Sequence, residues 1–246
     1  MTNYRSTSET GHAKNVANFE ELIITCQSFD TDYNPSNNRL TISELQSLLI
    51  DAQKAIEKVH DAKHNFILAT NQRQIEFQDV ETLATKIYNA LAASGAEERV
   101  VEDFKTINRK IQGSPSRPKT NDDEVGQETK RQVSNSQKSY DKVIDHFSAM
   151  TDLLSKIPEY APNEANLTMV ALNAKLQQLK ATNTAHIQAY ANYSKMITNR
   201  NLILYAPITG ILSVAKLVKK YVKSVFGATS TQYQQISDIE ILKITH

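Results

Sequence analysis

The sequence predicts an all-α protein made of two tandem, elongated four-helix units joined by a polar linker. Three observations carry that expectation. Gly and Pro occur only six times each in 246 residues, too sparse for the frequent turns of a many-stranded β fold. Apolar residues recur at spacings of three and four over most of the chain, the period of a helix with one buried face. The second half also repeats the spacing of the first.

The repeat is the most informative of these. Tyr33, Pro35, Leu40, Thr41 and Leu45 recur as Tyr160, Pro162, Leu167, Thr168 and Leu172 with identical internal spacing. Leu49 then matches Leu176, and Asn71-Gln72-Arg73 aligns with Thr198-Asn199-Arg200. Upstream, Phe19 and Leu22 match Phe147 and Met150 after one gap. Downstream, Ser94-Gly95-Ala96 aligns with Phe226-Gly227-Ala228 if the second copy carries a few extra residues. Matches in that order read as an internal duplication. Leu45, Leu49, Leu172 and Leu176 are its expected core positions. The organisation that follows is a polar tail over 1–13, repeat 1 over 14–112, a linker over 113–136 and repeat 2 over 137–246. The linker holds Ser-Pro-Ser-Arg-Pro and mixed charge without apolar periodicity.

Within the first copy, Val16, Phe19, Leu22, Ile23, Cys26 and Phe29 form one stripe, which predicts a helix over 14–29. The residue before Pro35 disfavours helix, so a loop follows. Thr41 with Glu44 three residues later has the form of a capping box and opens a second helix running to about Ile75. Leu45, Ala52, Val59 and Phe66 are spaced by seven, with Leu48, Ala55, Ala62 and Ala69 as a companion row. That pattern predicts a heptad seam that a partner helix can approach closely. A third helix carries Val80, Leu83, Ile87 and Leu91 and stops at Gly95. A fourth carries Val100, Val101, Phe104, Ile107 and Ile111. The second copy is expected to repeat all four, its third helix starting near Pro207. Four such stripes can bury one another in a small up-and-down bundle.

Composition narrows the function. Lys and Arg number 28 against 27 Asp and Glu, a net charge of +1, so no overall field attracts nucleic acid or an anionic membrane. Hydrophobic residues at 40% suit a folded chain. Cys26 is the single cysteine, which excludes an internal disulfide framework and reads as a small core residue. Met1–His12 has no apolar stretch typical of a secretory signal, and no run reaches the roughly 18 apolar residues of a spanning helix. A cytoplasmic location is the default expectation.

Candidate chemistry is thin. Asp30, Asp32 and Asn34 have the spacing of the first EF-hand ligands, but Pro35 stands where the turn needs Gly and Thr41 where a bidentate Glu is required. They read as a polar loop. His60 and His64 are spaced like half a metal site, with no Glu between them and no Cys or His cluster to complete it. No Gly-rich phosphate loop, Gly-x-Ser-x-Gly elbow or Cys-x-x-Cys occurs. No catalytic residue, metal or cofactor is therefore expected. Arg109, Lys110, Arg117, Lys119, Lys130, Arg131 and Lys138 form a basic group around the linker, interrupted by Asp122, Asp123 and Glu124 and lacking aromatics for base stacking. The segment from Leu202 to Phe226 is the most apolar. Ile208, Ile211, Leu212, Ala215, Val218, Val222 and Val225 make its stripe, and Lys216, Lys219, Lys220 and Lys223 fall away from it as a candidate membrane or partner face. Its counterpart in the first copy is an ordinary amphipathic helix, so bundle core is the expected use of that stripe.

The runs Lys14–Ile23, Asn89–Ala96, Lys105–Gly113, Glu159–Glu164 and Tyr221–Ser230 resemble an uncharacterised bacterial family of duplicated helical proteins of similar length. The resemblance implies the architecture and carries no activity or site residue. The expected function is a non-enzymatic structural or assembly protein that associates with itself into a ring, filament or tube, or with another protein. A membrane-active helical protein using 202–226 is the alternative. Nucleic-acid binding or an adaptor role is the third.

Overall fold

The structure is a computed structural model that describes residues 8–113 and 139–244, with side chains from Gly11 onward. Among the described residues the regular structure is entirely helical. The helices are α1 (Ser8–Gln27), α2 (Ile42–Phe77), α3 (Val80–Ala93), α4 (Glu98–Gln112), α5 (Tyr140–Leu154), α6 (Met169–Tyr205), α7 (Ile211–Phe226) and α8 (Thr231–Ser237).

The chain forms two compact units, and neither is one of the contiguous segments 14–112 or 137–246. The first unit takes Met1–Phe66 and Ala189–His246, and the second takes Ile67–Gln188. Both long helices pass from one unit to the other. Burial along each of them changes accordingly. α2 has 36 residues, about 54 Å of helix. Its heptad seam is buried at Leu45, Ala52, Val59 and Ala62, but Phe66 and Ala69 are only half-buried. No residue from 63 to 75 is buried, and Ile67, Leu68 and Ile75 are exposed there. α6 likewise has no buried residue from 184 to 199. Each long helix therefore offers one apolar surface near each end, and each end joins a different core.

In the first unit, α1 and the start of α2 pack with the end of α6, α7 and α8. Its core includes Phe19, Leu22, Leu45 and Leu49 together with Leu204, Ile211, Val218 and Val222. α2 and α6 run antiparallel here. Phe66 contacts the rings of Tyr190 and Tyr193, and residues 51–58 share a cavity wall with residues 196–203. In the second unit, α5 and the start of α6 pack with the end of α2, α3 and α4. Phe147, Met150, Leu172 and Leu176 lie against Ile87, Leu91, Phe104 and Ile111. The expectation that each copy packs its own four helices together is thus corrected: α1 and α2 take their other wall from α6, α7 and α8, while α5 and α6 take theirs from α2, α3 and α4.

Local differences have local causes. Residues 8–13, expected as tail, belong to α1. His12 is fully buried there and its Nδ1 lies 2.6 Å from the Tyr205 hydroxyl. α7 starts at Ile211 rather than near Pro207, after a loop that needs Gly210: a Cβ there would lie 2.5 Å from the Ala206 nitrogen. Ile208 in that loop has φ +76°, a conformation that costs a β-branched residue energy. Where the repeat leads one to expect a counterpart of α4, helical over 15 residues, the chain has only α8, seven residues long, and residues 239–244 continue without regular structure.

Candidate functional site

The matched turns make the same bonds. The Tyr33 hydroxyl donates to the Leu40 carbonyl at 2.8 Å, and the Tyr160 hydroxyl donates to the Leu167 carbonyl at 2.9 Å, both buried. Thr41 Oγ1 donates to the Asn38 carbonyl and Thr168 Oγ1 to the Ala165 carbonyl. Leu45 and Leu172 then start their helices by donating to the Thr41 and Thr168 carbonyls. Both leucines are fully buried, and Leu49 and Leu176 are also buried. Burial pushes the Tyr160 phenol up to about 12, helped by Glu164. Tyr33 moves in the same direction, first by burial and then by Cys26 and Tyr221. Burial also pushes the Cys26 thiol up to about 12 and keeps it protonated and unreactive. Asp30 and Asp32 form a 3-10 turn, and the Asn34 N–H donates to the Tyr221 hydroxyl at 3.0 Å. The Asp-Thr-Asp-Tyr-Asn segment thus serves as a turn docked on α7. Among the described residues no group of three or more His, Cys, Asp or Glu could hold a metal ion. His60 and His64 stand on the exposed face of α2.

The second unit holds a polar cluster at the end of α2. The Arg73 guanidinium lies 3.9 Å from the centre of the Tyr140 ring, where its charge meets the negative π face. It donates to Asn183 Oδ1 and to His186 Nε2, each at 3.1 Å. Asn183 in turn donates to Asp141 Oδ1 at 2.7 Å. As acceptor of an arginine N–H, His186 Nε2 carries no proton. Burial, and then the Arg73 charge, lower the pKa of His186. One turn further on, Glu76 accepts from Gln72 and Gln178, and Lys175 bridges Glu76 and Asp79 at 3.6 and 2.8 Å. These contacts fix how the end of α2 meets α5 and α6. A cavity of about 760 Å³ beside them is walled by Asn71, Ile75, Phe77, Val80, Tyr140 and Val143.

The lysine face of α7, in the first unit, is not uniform. Lys216, Lys220 and Lys223 are exposed, with Lys223 also 5.4 Å from the Tyr233 ring. Lys219 is half-buried and turned inward: its ammonium donates to the carbonyls of Ser237 and Ile239 at 2.9 and 2.7 Å. The four lysines therefore do not act as one face. The apolar stripe is core at Ile211, Val214, Ala215, Val218 and Val222, but Ile208 and Val225 at its ends are exposed. Beyond α8, residues 239–244 lie along α1. Asn15 donates to the Leu242 carbonyl at 2.7 Å and accepts from the Leu242 N–H at 3.1 Å, and Asn18 donates to the Glu240 carbonyl at 2.6 Å. Asn15 also donates to the Tyr205 hydroxyl at 3.0 Å.

Sequence reasoning missed Arg73, Arg200, Asn15 and Asn18. The arginines had a signal: both end the aligned triplets. Arg200 is fully buried and its side chain donates to Asn201 Oδ1, so both matched arginines turn inward. The asparagines had none, because polar helix positions normally face water. Arg109 and Lys110 occupy the last turn of α4, where cations suit the helix dipole. Arg117, Lys119, Lys130, Arg131 and Lys138 lie outside the described residues. No helix among the described residues is long and apolar enough to cross a membrane. Among known proteins, no family model, no curated protein and no solved structure matches the chain significantly.

Proposed function

We propose that this chain is a non-enzymatic structural protein, built from two copies of one helical unit, that works by associating with further copies of itself. The recurrence of one buried hydrogen bond, Tyr33 to Leu40 and Tyr160 to Leu167, is the observation that carries the duplication. The shared burial of Leu45 with Leu172 and of Leu49 with Leu176 supports it, as do the inward arginines. A duplicated chain presents similar surfaces twice, and contacts between unlike surfaces of successive copies generate rings or filaments. The polar clusters of both units, His12 with Tyr205 and Asn15 in one and Arg73 with Asn183 and His186 in the other, tie helices together.

Light scattering on purified protein over a wide concentration range tests this reading. A mass that rises with concentration, with rings or filaments in negative stain, is the expected result. A strict monomer at every concentration removes homopolymerisation. A second reading, a membrane-surface protein using α7, is favoured only by the exposed Lys216, Lys220 and Lys223 beside exposed Ile208 and Val225. It predicts co-flotation with anionic vesicles at low salt, lost at high salt.

A further inference from the structure

The segment from Asp238 to Ile244 forms a strap on α1, and its polar ties are made through its own main chain. Its main-chain partners are Asn15 at both the N–H and the carbonyl of Leu242, Asn18 at the Glu240 carbonyl and Lys219 at the Ile239 carbonyl. Ile239 is buried, Ile241 packs half-buried against the same core and Ile244 is half-buried near Gly11, whereas Glu240, Leu242 and Lys243 face outward. Leu242 is 58% exposed. A surface groove of about 460 Å³ runs where the strap meets α1. Four of its seven residues are exposed and only Ile239 is fully buried, so the segment opens at lower cost than the core. Its charge also suits the seat: Asp238 and Glu240 both act on the Lys219 ammonium of α7.

We propose that the strap of one copy docks in the α1 seat of a second copy, in place of that copy's own strap, and so links chains. This rests on the self-association reading above and names its contact. The seat reads the strap's backbone together with Ile239, Ile241 and Ile244, so a second copy's strap presents an identical set of partners, with the chain turning away after α8. Such exchange costs only the lost tether. The chain's own strap competes at an effective concentration on the order of millimolar. Linkage therefore grows at high local concentration, as in a forming assembly.

The test locks the strap in the full chain. A Cβ on Gly11 would lie 2.9 Å from Ile244 Cδ1, so Gly11→Cys with Ile244→Cys should close an internal disulfide, and buried Cys26 does not compete. The oxidised chain is expected to lose the concentration-dependent rise in light scattering and to regain it on reduction. As a second measurement, the two single variants are mixed under mild oxidation. A disulfide-linked heterodimer is expected, several-fold above that from a Lys58→Cys and Ile244→Cys pair and rising with concentration. If the locked chain associates as well as the wild type, or the mixed variants do not exceed the control pair, the strap is not the link and this proposal is overturned while self-association stands. If the wild type is monomeric throughout, the self-association reading itself fails, and this proposal with it.

Discussion

The Lys219 ammonium donates to the Ile239 carbonyl at 2.7 Å and so closes the end of α8 onto α7. Burial lowers the pKa of this amine, while Asp238 and Glu240 oppose the shift. Lys219→Met leaves the Ser237 and Ile239 carbonyls without their donor. It should destabilise the protein by about 1–2 kcal/mol. Lys216→Ala and Lys220→Ala, at exposed positions, should each stay within about 0.5 kcal/mol. Urea denaturation of the three variants checks the ranking, and equal effects would mean that Lys219 is as solvated as its neighbours.

The turn hydrogen bonds predict a matched pair of costs. Tyr33→Phe and Tyr160→Phe each remove the donor to a buried carbonyl, and each should cost about 1 kcal/mol or somewhat more. Thermal melts of the single variants and the double variant measure this. A loss in one turn and none in the other would show that the turns are not equivalent.

Core truncation should be costlier. Leu45→Ala and Leu172→Ala remove fully buried side chains and should each cost about 2–5 kcal/mol, with the cavity included. Exposed Lys54→Ala should change little. The leucines belong to different units, so hydrogen exchange should show Leu45→Ala loosening α1 and α7 first, and Leu172→Ala loosening α3 and α5 first.

The second unit should weaken in acid. His186 has a folded pKa below the usual 6.5 through burial and then Arg73. His146 is also lowered, by burial, Lys110 and Lys142, with Asp145 opposing. A lowered histidine pKa means that the unfolded chain binds the proton first. The stability linked to these groups is therefore complete above about pH 6.5 and is lost as pH falls through the folded values. Protonating His186 would also set a second cation against Arg73 at 3.1 Å. Stability measured from pH 8 to 5 should fall, and His186→Gln should flatten the slope.

Much of the fold was legible where periodicity and turn chemistry act locally. The stripes of α1, α3 and α4, the Thr41 start of α2 and the buried row beginning at Leu45 all appear in the one-dimensional pattern. What periodicity hides is which stripe meets which. Leu45 reads as core whether its wall comes from α3 or from α7, and the apolar Phe66, Ile67, Leu68 and Ile75 hide where α2 leaves one core for the next. Arg73 was legible as a matched residue but not as the centre of a cluster, because Tyr140 and Asn183 are distant in sequence. Lys219 was misread for a related reason: its partners are main-chain carbonyls, which no side-chain pattern reveals.

That interleaving is the central structural claim, and cleavage between the halves tests it most directly. A protease site placed near Arg117 leaves one fragment with α1–α4 and another with α5–α8. Each unit needs helices from both. After cutting, size-exclusion chromatography with mass determination should show the fragments co-eluting as a 1:1 complex that keeps the helical signal of the intact chain and separates only in denaturant. Two fragments that part in native buffer and remain fully helical alone would show that each half builds its own core, and would contradict the account.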